Sequence, residues 1–244
     1  IELSHRIAKI INREDDDSKE ILKRLLLKRK QIIHKARNKK DIFQNILKEH
    51  LDKTGTLKYT LVYVPEGNKP DDYTADIFDS YDMIKDDEDT VHLINEYTSI
   101  VRDLDSHIVV RQFTSESSDR DAMLKDFANG SIDVLTSMKC LDEGVDVPRS
   151  ELAIFCASTG NPRQFIQRRG RVLRTHAEKK YAIIHDLVVI PDNNFDPSCL
   201  DIEKNLVANE IRRVRDFAVL SENCNDTLNV LDDILEQYQI SLYN

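Results

Sequence analysis

A chain of 244 residues with 40% apolar side chains is long enough for one large domain or a core domain with smaller additions, and it has no run of eighteen apolar residues to suggest a membrane span. A net charge of −9 argues against a uniformly basic binder, but the charge is segregated: residues 66–105 carry 13 acidic against 3 basic side chains, and residues 163–180 carry 7 basic against 1 acidic. The four cysteines, without CxxC spacing, read as reduced core thiols of a cytoplasmic protein, and the scattered histidines imply no metal site.

Residues 1–56 are predicted helical. Leu22, Leu25, Leu26, Ile32, Ile33, Ala36, Phe43, Ile46 and Leu47 recur at helical spacing between lysines and arginines. Arg13 to Ser18 reads as a loop between a short helix and a long one. No secretory leader pattern is present, and a start at Ile1 rather than methionine suggests a piece of a longer polypeptide.

Residues 57–190 alternate strand and helix. The strand candidates are Tyr59–Val64, Ile108–Phe113, Ile132–Thr136, Leu152–Ala157 and Tyr181–Val189. Helices are expected at about Thr90–Arg102, Asp119–Ala128 and Pro162–Arg169. Apolar strands separated by amphipathic helices predict an α/β fold, a parallel sheet with helices on both faces. The acidic stretch near Asp71–Asp89 reads as a solvated face or a partly disordered loop, without a catalytic role. Residues 191–244 open on Pro191 and Pro197 and resume as helix near Asp201. There Ile202, Leu206, Ile211, Val214, Phe217 and Ala218 form an apolar stripe flanked by Arg212, Arg213 and Arg215, an extension expected to pack on the sheet domain.

Two segments carry chemistry. In the first, Ile132 to Ser137 is a short apolar strand ending in hydroxyls, and it runs into Met138–Pro148, MKCLDEGVDVP. Open α/β sheets bind ligands beyond the carboxyl ends of their strands, where these hydroxyls would lie. In the second, Asn161-Pro162 reads as a helix start with Gln164 at the capping-box position. That helix carries Gln167-Arg168-Arg169-Gly170-Arg171-Val172-Leu173-Arg174. Guanidinium groups are planar, permanently charged and matched to phosphate oxygens, and a cluster of four calls for an anion.

Together these segments resemble motifs V and VI of the superfamily 2 helicases and translocases. Leu141 to Pro148 resembles motif V, and Gln167 to Arg174 resembles the Gln-x-x-Gly-Arg-x-x-Arg form of motif VI. Leu61 to Val64 is similar to a motif IV strand. Phe113-Thr114-Ser115, with Arg120 and Phe127 to Gly130, is similar to the strand–helix unit between motifs IV and V. The phrasing resembles the DEAD/DEAH-box-like helicases of restriction and phage-defence systems and related DNA-repair helicases.

The resemblance implies a RecA-like second motor lobe over 57–190, an inter-lobe helical segment at 1–56 and a helical extension at 191–244. Arg171 and Arg174 would then act as arginine fingers on the γ-phosphate, and Gln167 would position phosphate or water. Gly144 and Asp146 would lie at the ATP, Asp146 near its ribose. Thr136, Ser137, Thr114 and Ser115 would hold one nucleic-acid strand by its phosphates. The sequence has no G-x-x-x-x-G-K-[ST] loop and no DEAD or DEAH box. ATP and Mg2+ are therefore expected to be bound mainly by an N-terminal lobe of the same polypeptide, and this lobe alone to be inactive. DNA is favoured over RNA as the track, and a nuclease or methyltransferase is a candidate partner. The rival reading is a non-catalytic module that keeps the lobe fold and binds nucleic acid or protein. A Rossmann-like enzyme is disfavoured, because Val64-Pro65-Glu66-Gly67 supplies no glycine-rich first turn.

Overall fold

The computed structural model describes residues 2–65, 87–114, 116–138, 147, 149–156, 169–191 and 199–242. Contacts divide the chain into two compact units, residues 31–187 and residues 1–30 with 188–244. The first division falls inside the helical segment predicted for 1–56.

Five strands form the sheet: β1 (Thr60–Tyr63), β2 (Val110–Phe113), β3 (Val134–Ser137), β4 (Leu152–Phe155) and β5 (Ile183–Asp186). All pairings are parallel and the order is β2-β3-β1-β4-β5. The predicted α/β fold with a parallel sheet is what the chain adopts. The three inner strands are buried at every position, which is why they read as unbroken apolar runs. Of the outer strands, β2 mixes buried and exposed positions, and β5 is exposed or half-buried throughout.

The helices of this unit are α3 (Arg37–Thr54), α4 (Asp87–Arg102) and α5 (Arg120–Ala128). Phe43 and Leu47 of α3, with Leu93, Ile94, Tyr97 and Val101 of α4, pack on Val62, Val110, Val134, Leu152 and Ile154. Strand side chains alternate in direction, so those sheet residues share one face. On the other face Tyr63 stacks on Phe155 with ring centroids 4.7 Å apart. There α5 brings Arg120 to within 4.7 Å of the Phe113 ring, and Phe127 meets Tyr59 edge-on. Helices thus cover both faces.

Two glycines shape the connections. Gly55 ends α3 in the left-handed conformation, φ 72°, and its amide returns to Leu51 O at 2.7 Å. Gly130 follows α5 at φ 79°, where a Cβ would come within 2.9 Å of Tyr59 Oη. Tyr59 itself turns into β1 with φ 62°, an uncommon conformation for a bulky residue.

In the second unit α1 (Glu2–Ile10) and the early turns of α2 (Asp16–His34) meet α6 (Leu200–Ala218) through Ile7, Leu25 and Ile202. Farther along α6, Val207 and Ile211 pack with Leu231 and with Tyr238 of α8 (Asp232–Tyr238), which follows α7 (Cys224–Asn229). Glu203 is buried and accepts a hydrogen bond from the Ser4 hydroxyl. Arg213, predicted to ride beside the apolar stripe, is buried and pairs with Glu210 at 2.7 Å.

The predicted long helix departs from expectation at both ends of its first half. Asp15 caps α2 by accepting from the Ser18 amide at 2.8 Å, so the loop before it ends sooner than predicted. A break at Lys35–Ala36 then separates α2 from α3.

Candidate functional site

The carboxyl ends of β1, β2 and β3 line one edge of the sheet. Thr114 follows β2 there in a tight turn. Its amide donates to Ser117 Oγ at 3.0 Å, the two hydroxyls lie 3.3 Å apart, and Ser117 Oγ donates to Gln112 O at 3.4 Å. Thr114 remains half-buried, within reach of a ligand at this edge.

Thr136 and Ser137 end β3 but face opposite sides of the sheet. Thr136 is fully buried, and its hydroxyl lies 2.8 Å from that of Thr98 on α4. Thr98 also donates to Ile94 O and accepts from Gln112 Nε2, which reaches Asn95 as well. The expected nucleic-acid contact by Thr136 does not fit this geometry. Its side chain is the inner end of a polar ladder pinning α4 to β2 and β3. Ser137, also buried, donates to Met138 O at 2.9 Å, on the side of Phe155 and Phe113.

The arginine segment runs toward the opposite edge. Residues 169–172 are helical, and the Leu173 amide closes the last turn on Arg169 O. Arg171 is 8% exposed, whereas Arg174 lies in the open. Lys179 donates to the carbonyls of Val172 and Arg174, the latter at 2.9 Å. Burial lowers the pKa of Lys179, while Glu151, immediately before β4, raises it. Glu178 pairs at 2.6 Å with Arg149, which sits 3.8 Å from the Tyr59 ring. Glu151, Arg149 and Tyr59 all precede the strands they adjoin, so this cluster marks the amino edge of the sheet.

Gln167, Gly144, Asp146 and Ser115 lie outside the described residues, as do most of the motif V loop and the predicted helix before Arg169. Among the described residues no group of three or more His, Cys, Asp or Glu is arranged to hold a metal ion. No helix among them is long and apolar enough to cross a membrane. Cys156, Cys199 and Cys224 form no disulfide, and the first two are buried.

Sequence reasoning did not find Ser117, Lys179 or Lys39. Lys39 of α3 is 3% exposed and donates to Cys156 O at 3.0 Å, at the carboxyl end of β4. Burial pushes the Cys156 thiol and the neighbouring Tyr97 phenol well above their ordinary values, so both stay neutral. A buried lysine bonded to a strand end carries no periodic signal that would single it out among the many lysines of 1–56.

Residues 76–176 match the family model for the helicase conserved C-terminal domain. A 73-residue stretch is 38% identical to the DNA 3'-5' translocase XPB2 of Sulfurisphaera tokodaii, covering 30% of this chain and 16% of that protein. An 85-residue stretch is 35% identical to a 51.5 kDa protein of a Lactococcus phage, covering 32% and 19%. Among solved structures, the Pyrococcus furiosus Hef helicase domain is similar at 20% identity and a TM-score of 0.39, over 76% of this chain and 35% of that one. The matches thus span less than a fifth of either curated relative.

Proposed function

We propose, from the premise that this chain carries a helicase conserved C-terminal domain of the superfamily 2 kind, that it is the second motor lobe of an ATP-driven nucleic-acid translocase or helicase. Its share of the chemistry is electrostatic. Phosphoryl transfer spreads negative charge over the γ-phosphate, and a guanidinium held against it stabilises that charge. The observation that carries this reading is the exposed Arg174 at the end of a helical turn, one turn beyond the nearly covered Arg171. Arg174 is the more exposed of the two guanidiniums, and Arg171 is the more covered. The proposal also assigns Gln167, Gly144 and Asp146 to the same nucleotide.

ATP and Mg2+ would be bound mainly by an N-terminal lobe of the same polypeptide, the metal neutralising phosphate charge when present. At the carboxyl edge, Thr114 and Ser115 would contact the track, while Ser137, fully buried, would hold the end of β3 from beneath. The relative named as a DNA translocase favours DNA. Hydroxyl contacts to phosphates position a strand without reading its bases.

The test compares this chain with the complete protein. By itself the chain is expected to hydrolyse no ATP above background. In the complete protein, Arg174→Ala is expected to lower kcat by about 10³-fold while nucleotide still binds. Robust turnover by the purified chain, or an unchanged kcat in the variant, overturns the reading.

A further inference from the structure

Neither the motif nor the comparisons assign a role to Lys179. The end of a helix leaves carbonyls without amide partners, and a cation there also meets the negative end of the helix dipole. Lys179 meets two such groups, Val172 O and Arg174 O, one next to Arg171 and the other on Arg174 itself.

The lysine does not hang on a loose loop. Its own amide donates to His176 O at 3.0 Å, closing a tight turn. The preceding residue, Glu178, is clamped by Arg149, and Arg149 Nε also lies 3.8 Å from Glu151. The Glu151 amide in turn donates to Tyr59 O at 2.9 Å, where the segments entering β4 and β1 run side by side. A continuous set of contacts therefore leads from the rigid sheet, through Arg149 and Glu178, to Lys179 and the backbone that carries both arginines.

We propose that Lys179 is a positioning residue for Arg171 and Arg174: it fixes the backbone of the arginine turn relative to the sheet, so that both guanidiniums are presented at a set height. The inference rests on the reading that these arginines serve the γ-phosphate. Catalytic groups are sensitive to placement, and an error of about 1 Å can cost about 100-fold in rate.

The experiment is steady-state ATPase of the complete protein on a saturating nucleic-acid track. Lys179→Met keeps the apolar stem and removes the donor. It is expected to lower kcat by about 10- to 100-fold with KM changed less than about threefold. Lys179→Arg, which retains a cation and donors, is expected to recover to within about threefold. Combined with Arg174→Ala, Lys179→Met is expected to cost less than the product of the two single losses, because one of the two arginines it positions is already gone. A wild-type kcat in Lys179→Met, or a full multiplicative loss in the double variant, overturns the inference. If Lys179→Met fails to fold, Glu178→Gln loosens the same clamp from its other end and is expected to lower kcat by about 3- to 10-fold. A wild-type kcat there overturns the inference too. Should Arg171→Ala and Arg174→Ala both leave turnover intact, it is the arginine reading that falls, whatever the lysine does.

Discussion

The hydroxyls of Thr136 and Thr98 lie 2.8 Å apart inside the protein, at the junction of β3 and α4. Thr136→Val keeps the shape and removes one hydrogen bond, while Thr98 retains Ile94 O and Gln112. The expected cost is about 1 kcal/mol, read as a shift in the urea midpoint of this chain. Nucleic-acid affinity of the complete protein should not move. A loss of affinity at unchanged stability would return Thr136 to the track.

Thr114 and Ser117 are expected to behave in the opposite way. Replacing them with Val and Ala removes two hydroxyls from the carboxyl edge. Affinity for single strands should fall by about fivefold, by the same factor for every base sequence tested. Fluorescence anisotropy on homopolymeric and mixed oligonucleotides measures this. A loss confined to one sequence would mean that the edge reads bases.

Gly130→Ala should destabilise the chain by about 1–3 kcal/mol. The added methyl meets Tyr59 Oη in a left-handed conformation, and the Tyr59 ring has little room to yield between Phe127 and Arg149. Thermal unfolding of the variant checks it. An unchanged midpoint would show that the ring moves freely.

His185 on β5 and His50 on α3 give stability a dependence on pH. Burial depresses the pKa of each; for His185, His50 and Lys53 depress it further while Glu49 opposes, and for His50, Glu151 opposes while Lys53 depresses it further. Between the folded values and the ordinary imidazole value of about 6.5, the unfolded chain holds more protons than the folded one. Stability therefore rises with pH across that window, is full above it, and is lost as pH falls through the folded values. Urea midpoints at pH 7.5 and 5.5 should differ in that direction, and His185→Gln should shrink the difference. An unshrunken difference would assign the effect to other groups.

Much of the sheet was legible in the sequence because its inner strands are buried on both faces and their residues report it without interruption. The strands at Thr60, Val134 and Leu152 coincide with the predicted apolar runs. The break at Lys35–Ala36 was not legible, since neither glycine nor proline stands there. Alternation puts Thr136 and Ser137 on opposite faces, but nothing in the sequence says that α4 would bring a partner hydroxyl to one of them. The role of Lys179 depends on where a turn returns after the arginines, and that is a matter of three-dimensional path rather than spacing. The clustering of the arginines was plain in the sequence; the covering of Arg171 and the exposure of Arg174 came only with the fold.

Each strand of the sheet spans four residues, so the rim carrying Thr114 and the rim beside Tyr59 and Glu151 are separated by only about 13 Å of hydrogen-bonded backbone. A block this short and this densely packed does not bend. Tilting it by about 10° would carry one rim about 2 Å relative to the other, in step and without slack. Among the described residues of the sheet, no softer element lies between the two rims, so a rotation imposed on one is carried to the other.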